Sequence, residues 1–125
     1  MRLEHIMNGY TGMIERCIKF PLCDNDGKST VEVIHSIESE LLAIAGGFSE
    51  TYESGQWVDS DTGVFYRNEN IRIDTSISEV QDRQIERRLP VWCAMLHQVA
   101  LYTHRSTVEV AFIEAVSVAD MALVA

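Results

Sequence analysis

Apolar residues between Tyr10 and Leu22 fall on alternate positions, with Ile14, Ile18 and Phe20 on one parity and Arg16 interrupting that face. A period of two marks a strand with one buried face, and Pro21 closes it. Asp24-Asn25-Asp26-Gly27 then reads as a turn, and Ser29-Thr30-Val31-Glu32 has capping-box spacing, so a helix is predicted to start there. Ile34, Ile37, Leu41 and Ile44 form its apolar stripe, with His35, Glu38, Ser39 and Glu40 mainly on the other side. Gly46-Gly47 ends it, because glycine takes the left-handed conformation that closes a helix at little cost. Phe48 to Trp57 and Gly63 to Ile73 are rich in β-branched and aromatic residues around the polar segment Val58 to Gly63, the pattern of a hairpin. A second capping pattern, Ser78-Glu79-Val80-Gln81, opens a helix marked by Ile85, Leu89, Trp92 and Leu96. Pro90 lies inside it and predicts a kink or restart near Leu89. Val99 to Thr103 and Val108 to Ile113 read as two strands around His104-Arg105-Ser106-Thr107.

The order strand, helix, strand, strand, helix, strand, with an extra C-terminal strand and tail, is the ferredoxin-like βαββαβ pattern in the α+β class. Residues 1–125 form one such domain, with no internal repeat or linker. Both helices are expected on one face of an antiparallel sheet, leaving the other face for a second subunit. The apolar tail Ala115 to Ala125 adds to that expectation of an oligomer.

Charge narrows the partners. Ten Lys and Arg against nineteen Asp and Glu give a net charge of −9, poor in the cations that grip phosphate backbones or anionic membranes. Neither nucleic acid nor membrane is an expected partner, and no apolar run approaches the roughly 18 residues that span a bilayer. Met1 to Tyr10 has no apolar stretch that could act as a signal peptide, and the expected location is the cytoplasm. Cys17, Cys23 and Cys93 are odd in number and show no Cys-x-x-Cys spacing, which fits reduced thiols.

Gly27-Lys28-Ser29-Thr30 ends like a phosphate-binding loop, but Leu22 stands where that loop needs its first glycine, and Asp24 and Asp26 would repel phosphate. Leu22 also stands at the first ligand position of a calcium loop built on Asp24 to Gly27. His5, His35, His97 and His104 show no metal-ligand spacing, so no metal and no cofactor are expected. His104, beside Arg105 at a predicted strand end, has the option of a ligand contact. More chemistry is offered by the hairpin strand, where alternation puts Phe65, Arg67, Glu69, Ile71 and Ile73 on one face. Glu69 is thereby aimed at the apolar side, where a carboxylate needs a partner such as Arg67 or Arg16, or a bound cation. Glu109 shows a similar oddity, although alternation sets it opposite Val108 and Val110 and so towards water. Tyr52, Trp57 and Tyr66 flank the hairpin tip and could hold an adenine ring or a sulfonium.

Gly47-Phe48-Ser49-Glu50 leading to Gly55-Gln56-Trp57, then Asn68-Glu69-Asn70-Ile71-Arg72-Ile73, then Gln98 to Ile113 after a Trp-containing helix, together resemble the bacteriophage S-adenosylmethionine hydrolases. The resemblance covers about 70 residues, Gly46 to Ala115. It implies a homotrimer of PII-like, ferredoxin-fold subunits that binds S-adenosylmethionine between neighbours, as a phage counter-defence. It also implies cleavage to 5'-methylthioadenosine, either as a lyase giving homoserine lactone or as a hydrolase giving homoserine. Glu69 would be the catalytic carboxylate, with Tyr52, Trp57, Tyr66 and Glu109 as substrate-binding residues. The same layout occurs in PII-like proteins that bind a nucleotide or signalling molecule without catalysis, and a purely structural module is a third reading.

Overall fold

A computed structural model describes residues 9–123. The reading of Met1 to Asn8 as free of a leader therefore lies outside the described residues, as do His5 and the last two positions of the tail. The elements run β1 (Thr11–Pro21), α1 (Val31–Ala45), β2 (Ser49–Val58), β3 (Phe65–Ile77), α2 (Glu79–Met95), β4 (Tyr102–Val110) and a short 3-10 turn, Val118–Leu123. The strands form one antiparallel sheet in the order β2-β3-β1-β4, the ferredoxin-like arrangement. Ile18 and Phe20 of β1, and Ile71, Ile73 and Ile77 of β3, meet Ile34, Ile37 and Leu41 of α1 and Ile85, Trp92 and Leu96 from α2 and its C-cap in one buried cluster. The strand members share one parity, so both helices cover the same face.

Local signals explain most boundaries. Ser78 and Gln81 form the expected reciprocal capping box on α2, and Gly46, with φ 80°, closes α1 by donating its N–H to Leu42. At the start of α1 the cap sits one residue later than Ser29 predicts. Thr30 occupies it without a side-chain cap bond, because its hydroxyl is drawn to the Pro21 carbonyl at 2.5 Å. Nor does α2 restart near Leu89: it runs through Pro90 as one helix. Losing one backbone bond there is tolerable where Ile85 and Trp92, buried on either side, hold both turns on the sheet.

The two strands expected around His104 to Thr107 are a single edge strand, and the extra C-terminal strand is not formed: residues 111–117 carry no regular structure. The polar stretch that reads as a turn is instead paired with β1, from His104 opposite Cys17 to Thr107 opposite Ile14, and side chains on this strand reach both the sheet and α2. Thr103 Oγ1 donates to the Cys17 carbonyl at 2.7 Å, and Arg105 reaches Asp82 at 3.0 Å. Arg16, the interruption on β1, is the centre of that arrangement. It is buried under α2, where Nε and Nη2 donate to the two carboxylate oxygens of Asp82, each at 2.8 Å, and Nη2 also reaches Glu86 at 2.7 Å.

The sheet face away from the helices is not bare apolar surface. Lys19 pairs with Glu53 at 2.8 Å and lies 4.7 Å from the centre of the Tyr102 ring, Arg72 pairs with Asp74 at 2.9 Å, and Cys17 is buried beneath them. A second subunit on this face would meet ion pairs.

On the helix side, burial pushes the Glu38 carboxyl of α1 up to about 7, helped by a hydrogen bond and the charge of Glu50 on β2. The folded chain thus holds this proton more tightly than the unfolded one, so stability from Glu38 is complete below the ordinary value of 4.5 and is lost as pH rises towards 7. Glu38→Gln is expected to raise stability above pH 7 by about 1 kcal/mol, discounted for partial solvation, and to leave it unchanged near pH 4. Urea midpoints at the two pH values check this.

Candidate functional site

Register decides where the site lies. β1 pairs with β3 as far as Pro21 opposite Asn70, and Leu22 N–H donates to the Glu69 carbonyl at 2.9 Å. There the chain leaves the sheet: Asp24 Oδ1 accepts the backbone N–H groups of Asp26 and Lys28, each at 2.9 Å, and Gly27 adopts φ 80°. This is the turn that displaces both the phosphate-loop and calcium-loop readings. β2 and β3 continue beyond it as a two-stranded arm, Ser54 to Val58 opposite Phe65 to Glu69.

The notch between arm and turn is a cleft of about 540 Å³. Pro21, Cys23, Asp24 and Asn25 form one wall, Trp57 and Tyr66 to Glu69 the other, and Gln98 its edge. Because the cleft follows the unpaired edge of β3, side chains from both faces of the arm reach it. A smaller pocket of about 170 Å³ shares Pro21, Asn68 and Gln98 and carries the surface on to Lys19 and Tyr102.

Within the cleft, Trp57 and Tyr66 face each other across the strands and stack with ring centres 4.4 Å apart and planes at 15°. Arg67 Nε donates to Ser54 Oγ at 3.1 Å, and Arg67 Nη2 lies 3.5 Å from Glu69 Oε1. Glu69 has the parity expected of it, with Ile71 and Ile73, but it is not at the core margin. Ile71 is 2% exposed, whereas the Glu69 side chain, past the end of β1, is 58% exposed and paired with Arg67.

Three of the expected site residues, Trp57, Tyr66 and Glu69, are therefore brought together, and two are not. Tyr52 sits opposite Ile71 on the helix side of the sheet, 73% exposed and outside the cleft. Glu109 is exposed opposite Gly12, at the far end of β1 and about 30 Å from the cleft by strand rise. His104 contacts the Tyr102 hydroxyl at 3.0 Å on the open face. Asp24, Asn25, Arg67, Asn68 and Gln98 are cleft residues not foreseen as such. Asp24-Asn25 carried a turn signal only, and Gln98 is placed by His97, which turns the chain after α2 with φ 52°.

No family model and no curated protein matches the sequence. Solved structures do match in fold. A phage SAM lyase in complex with S-methyl-5'-thioadenosine superposes over 90% of this chain and 97% of its own, with TM-score 0.56 and 11% identity. The fold resembles that lyase. A PII-like signalling protein from Thermus thermophilus matches at TM-score 0.54 and 17% identity, over 83% of this chain and 94% of its own. A Bacillus cereus protein related to NIF3 matches at TM-score 0.58 and 12% identity, covering 83% of this chain but 28% of its own. At such identities the likeness establishes the fold, and function has to be argued from the cleft.

Proposed function

We propose that the protein degrades S-adenosylmethionine, and that the cleft between the arm and the β1–α1 turn holds the substrate. The observation that carries this reading is the composition of one notch: a stacked aromatic pair, two carboxylates (Asp24 and Glu69) and one guanidinium (Arg67). S-adenosylmethionine presents the complement, a flat base, two cations (sulfonium and ammonium) and one carboxylate. The volume lies within the range of small-molecule sites. The fold shared with a phage SAM lyase supports the same reading.

The sulfonium is already a good leaving group, so the chemistry asks mainly for a folded substrate and excluded water. In the lyase route a substrate carboxylate oxygen attacks Cγ, the Cγ–S bond breaks, and its electron pair leaves sulfur neutral in 5'-methylthioadenosine, with homoserine lactone as coproduct. Glu69 holds the cationic end by charge. In the hydrolase route water attacks Cγ, Glu69 accepts its proton, and homoserine results. Sites shared within a homotrimer fit the exposed arm tip, where Val58, Val64 and Phe65 lie open on a two-stranded ribbon that is marginal alone. Acting in a phage-infected cell, such an enzyme would remove the methyl donor of host defences.

A second reading, a PII-like binding protein without catalysis, is favoured by the comparable likeness to the Thermus protein and by Arg67 as a phosphate contact. Binding separates the two: calorimetry is expected to show S-adenosylmethionine bound and ATP not, whereas ATP binding without turnover selects the second. The thiols give a footprint. Cys23 is exposed on the cleft, Cys93 is half-buried, and burial pushes the Cys17 thiol up. Cys23 should react first with a thiol reagent, and 5'-methylthioadenosine should slow it at least about threefold. Unchanged Cys23 reactivity with saturating ligand would place binding elsewhere.

A further inference from the structure

The arm holds an ion pair that its own fold does not use up. Arg67 and Glu69 are two residues apart on β3 and share a face, and Ser54 stands directly opposite Glu69 on β2. The Ser54 hydroxyl links them, accepting from Arg67 Nε at 3.1 Å and donating weakly to Glu69 Oε1 at 3.5 Å. The Arg67–Glu69 contact, also 3.5 Å, is well beyond the 2.7–2.9 Å of a tight charge-assisted bond. Their side chains are 62% and 58% exposed, and among the described residues neither Arg67 Nη1 nor Glu69 Oε2 has a hydrogen-bond partner. A guanidinium and a carboxylate are thus held side by side in the cleft, each with unspent capacity. An α-amino acid group, with an ammonium and a carboxylate on one carbon, is the ligand chemistry that satisfies both at once.

The geometry points to Arg67 as the specificity-determining residue of the cleft, taking the α-carboxylate of the ligand while Glu69 takes its α-ammonium. The site then selects nucleoside thioethers and sulfoniums that keep an intact amino-acid group over those that have lost it. This inference rests on the substrate reading proposed above and adds to it. Ser54 is a positioning residue, holding Arg67 Nε while Nη2 faces Glu69 and Nη1 stays without a hydrogen-bond partner among the described residues. A planar fork suits a carboxylate in a way that a lysine ammonium does not.

Two unreactive ligands test it by calorimetry: S-adenosylhomocysteine, which carries the amino-acid group, and 5'-methylthioadenosine, which lacks it. The wild type should bind S-adenosylhomocysteine about tenfold or more tightly than 5'-methylthioadenosine. Arg67→Gln should abolish that preference by weakening S-adenosylhomocysteine alone, with 5'-methylthioadenosine held within about twofold. Arg67→Lys should recover only part of it. Equal binding of both ligands by the wild type, or equal weakening of both by Arg67→Gln, overturns this inference and leaves the substrate reading standing. Failure of the wild type to bind either ligand overturns the substrate reading and this inference with it.

Discussion

Glu69→Gln is expected to lower turnover of S-adenosylmethionine about a hundredfold with the fold unchanged. The substitution keeps the size of the side chain and removes one negative charge from a cleft whose charged lining is Asp24, Arg67 and Glu69. Two of those three are carboxylates, and without Glu69 the lining is neutral overall, facing a substrate with a net positive charge. Because Glu69 is more than half exposed and its side chain, among the described residues, has polar contacts to Arg67 and Ser54 alone, the thermal midpoint should stay within about 2 °C of the wild type. Steady-state kinetics with matched melting curves check both halves. Full activity in the variant would remove Glu69 from the reaction.

The largest effect on stability is expected at Asp82. This carboxylate is fully buried, receives two bonds from Arg16 at 2.8 Å and one from Arg105 at 3.0 Å, and ties α2 to β1 and β4. Asp82→Asn leaves the Arg16 guanidinium buried against an amide that turns one donor towards another. Removing one partner of a buried pair costs about 3–5 kcal/mol, and the thermal midpoint should fall by about 10–15 °C. Glu86, half-exposed, recovers part of the loss by staying on Arg16.

Acid should act on the same network. Burial works to raise the Asp82 carboxyl, but hydrogen bonds from Arg16 and Arg105 and their charges outweigh it and hold it below its usual 3.8. A depressed folded-state value means that the stabilisation is present above 3.8 and is lost as pH falls below it. Glu38 acts in the opposite sense between 4.5 and about 7, so these two groups together favour maximal stability near pH 4 to 5. In Asp82→Asn the acid limb of a stability–pH curve should flatten, and in Glu38→Gln the limb approaching neutrality.

Much of the fold was legible because the decisive signals are local: the parity of Ile14, Ile18 and Phe20, the Ser78–Gln81 box and the left-handed Gly46. The errors occur where a distant partner reverses a local preference. His104 to Thr107 resembles a turn until Arg105 meets Asp82, 23 positions away in the chain. Thr30 stands at the cap in place of Ser29 with its hydroxyl held by the distant Pro21 carbonyl rather than by the helix, and Pro90 stays helical because the core holds both sides of it. The site divides in the same way. Trp57, Tyr66 and the facing of Glu69 follow from alternation along the hairpin. The exposure of Glu69 depends on where β1 stops against β3, which is a matter of register between strands. Asp24, Arg67 and Gln98 come from three separate segments and meet only in the folded chain.

The most direct measurement incubates the purified chain with S-adenosylmethionine and follows products by chromatography over time. The substrate reading predicts 5'-methylthioadenosine from the wild type, far less from Glu69→Gln, and homoserine lactone ahead of homoserine if the substrate's own carboxylate is the nucleophile. Absence of 5'-methylthioadenosine from the folded wild-type protein would contradict it.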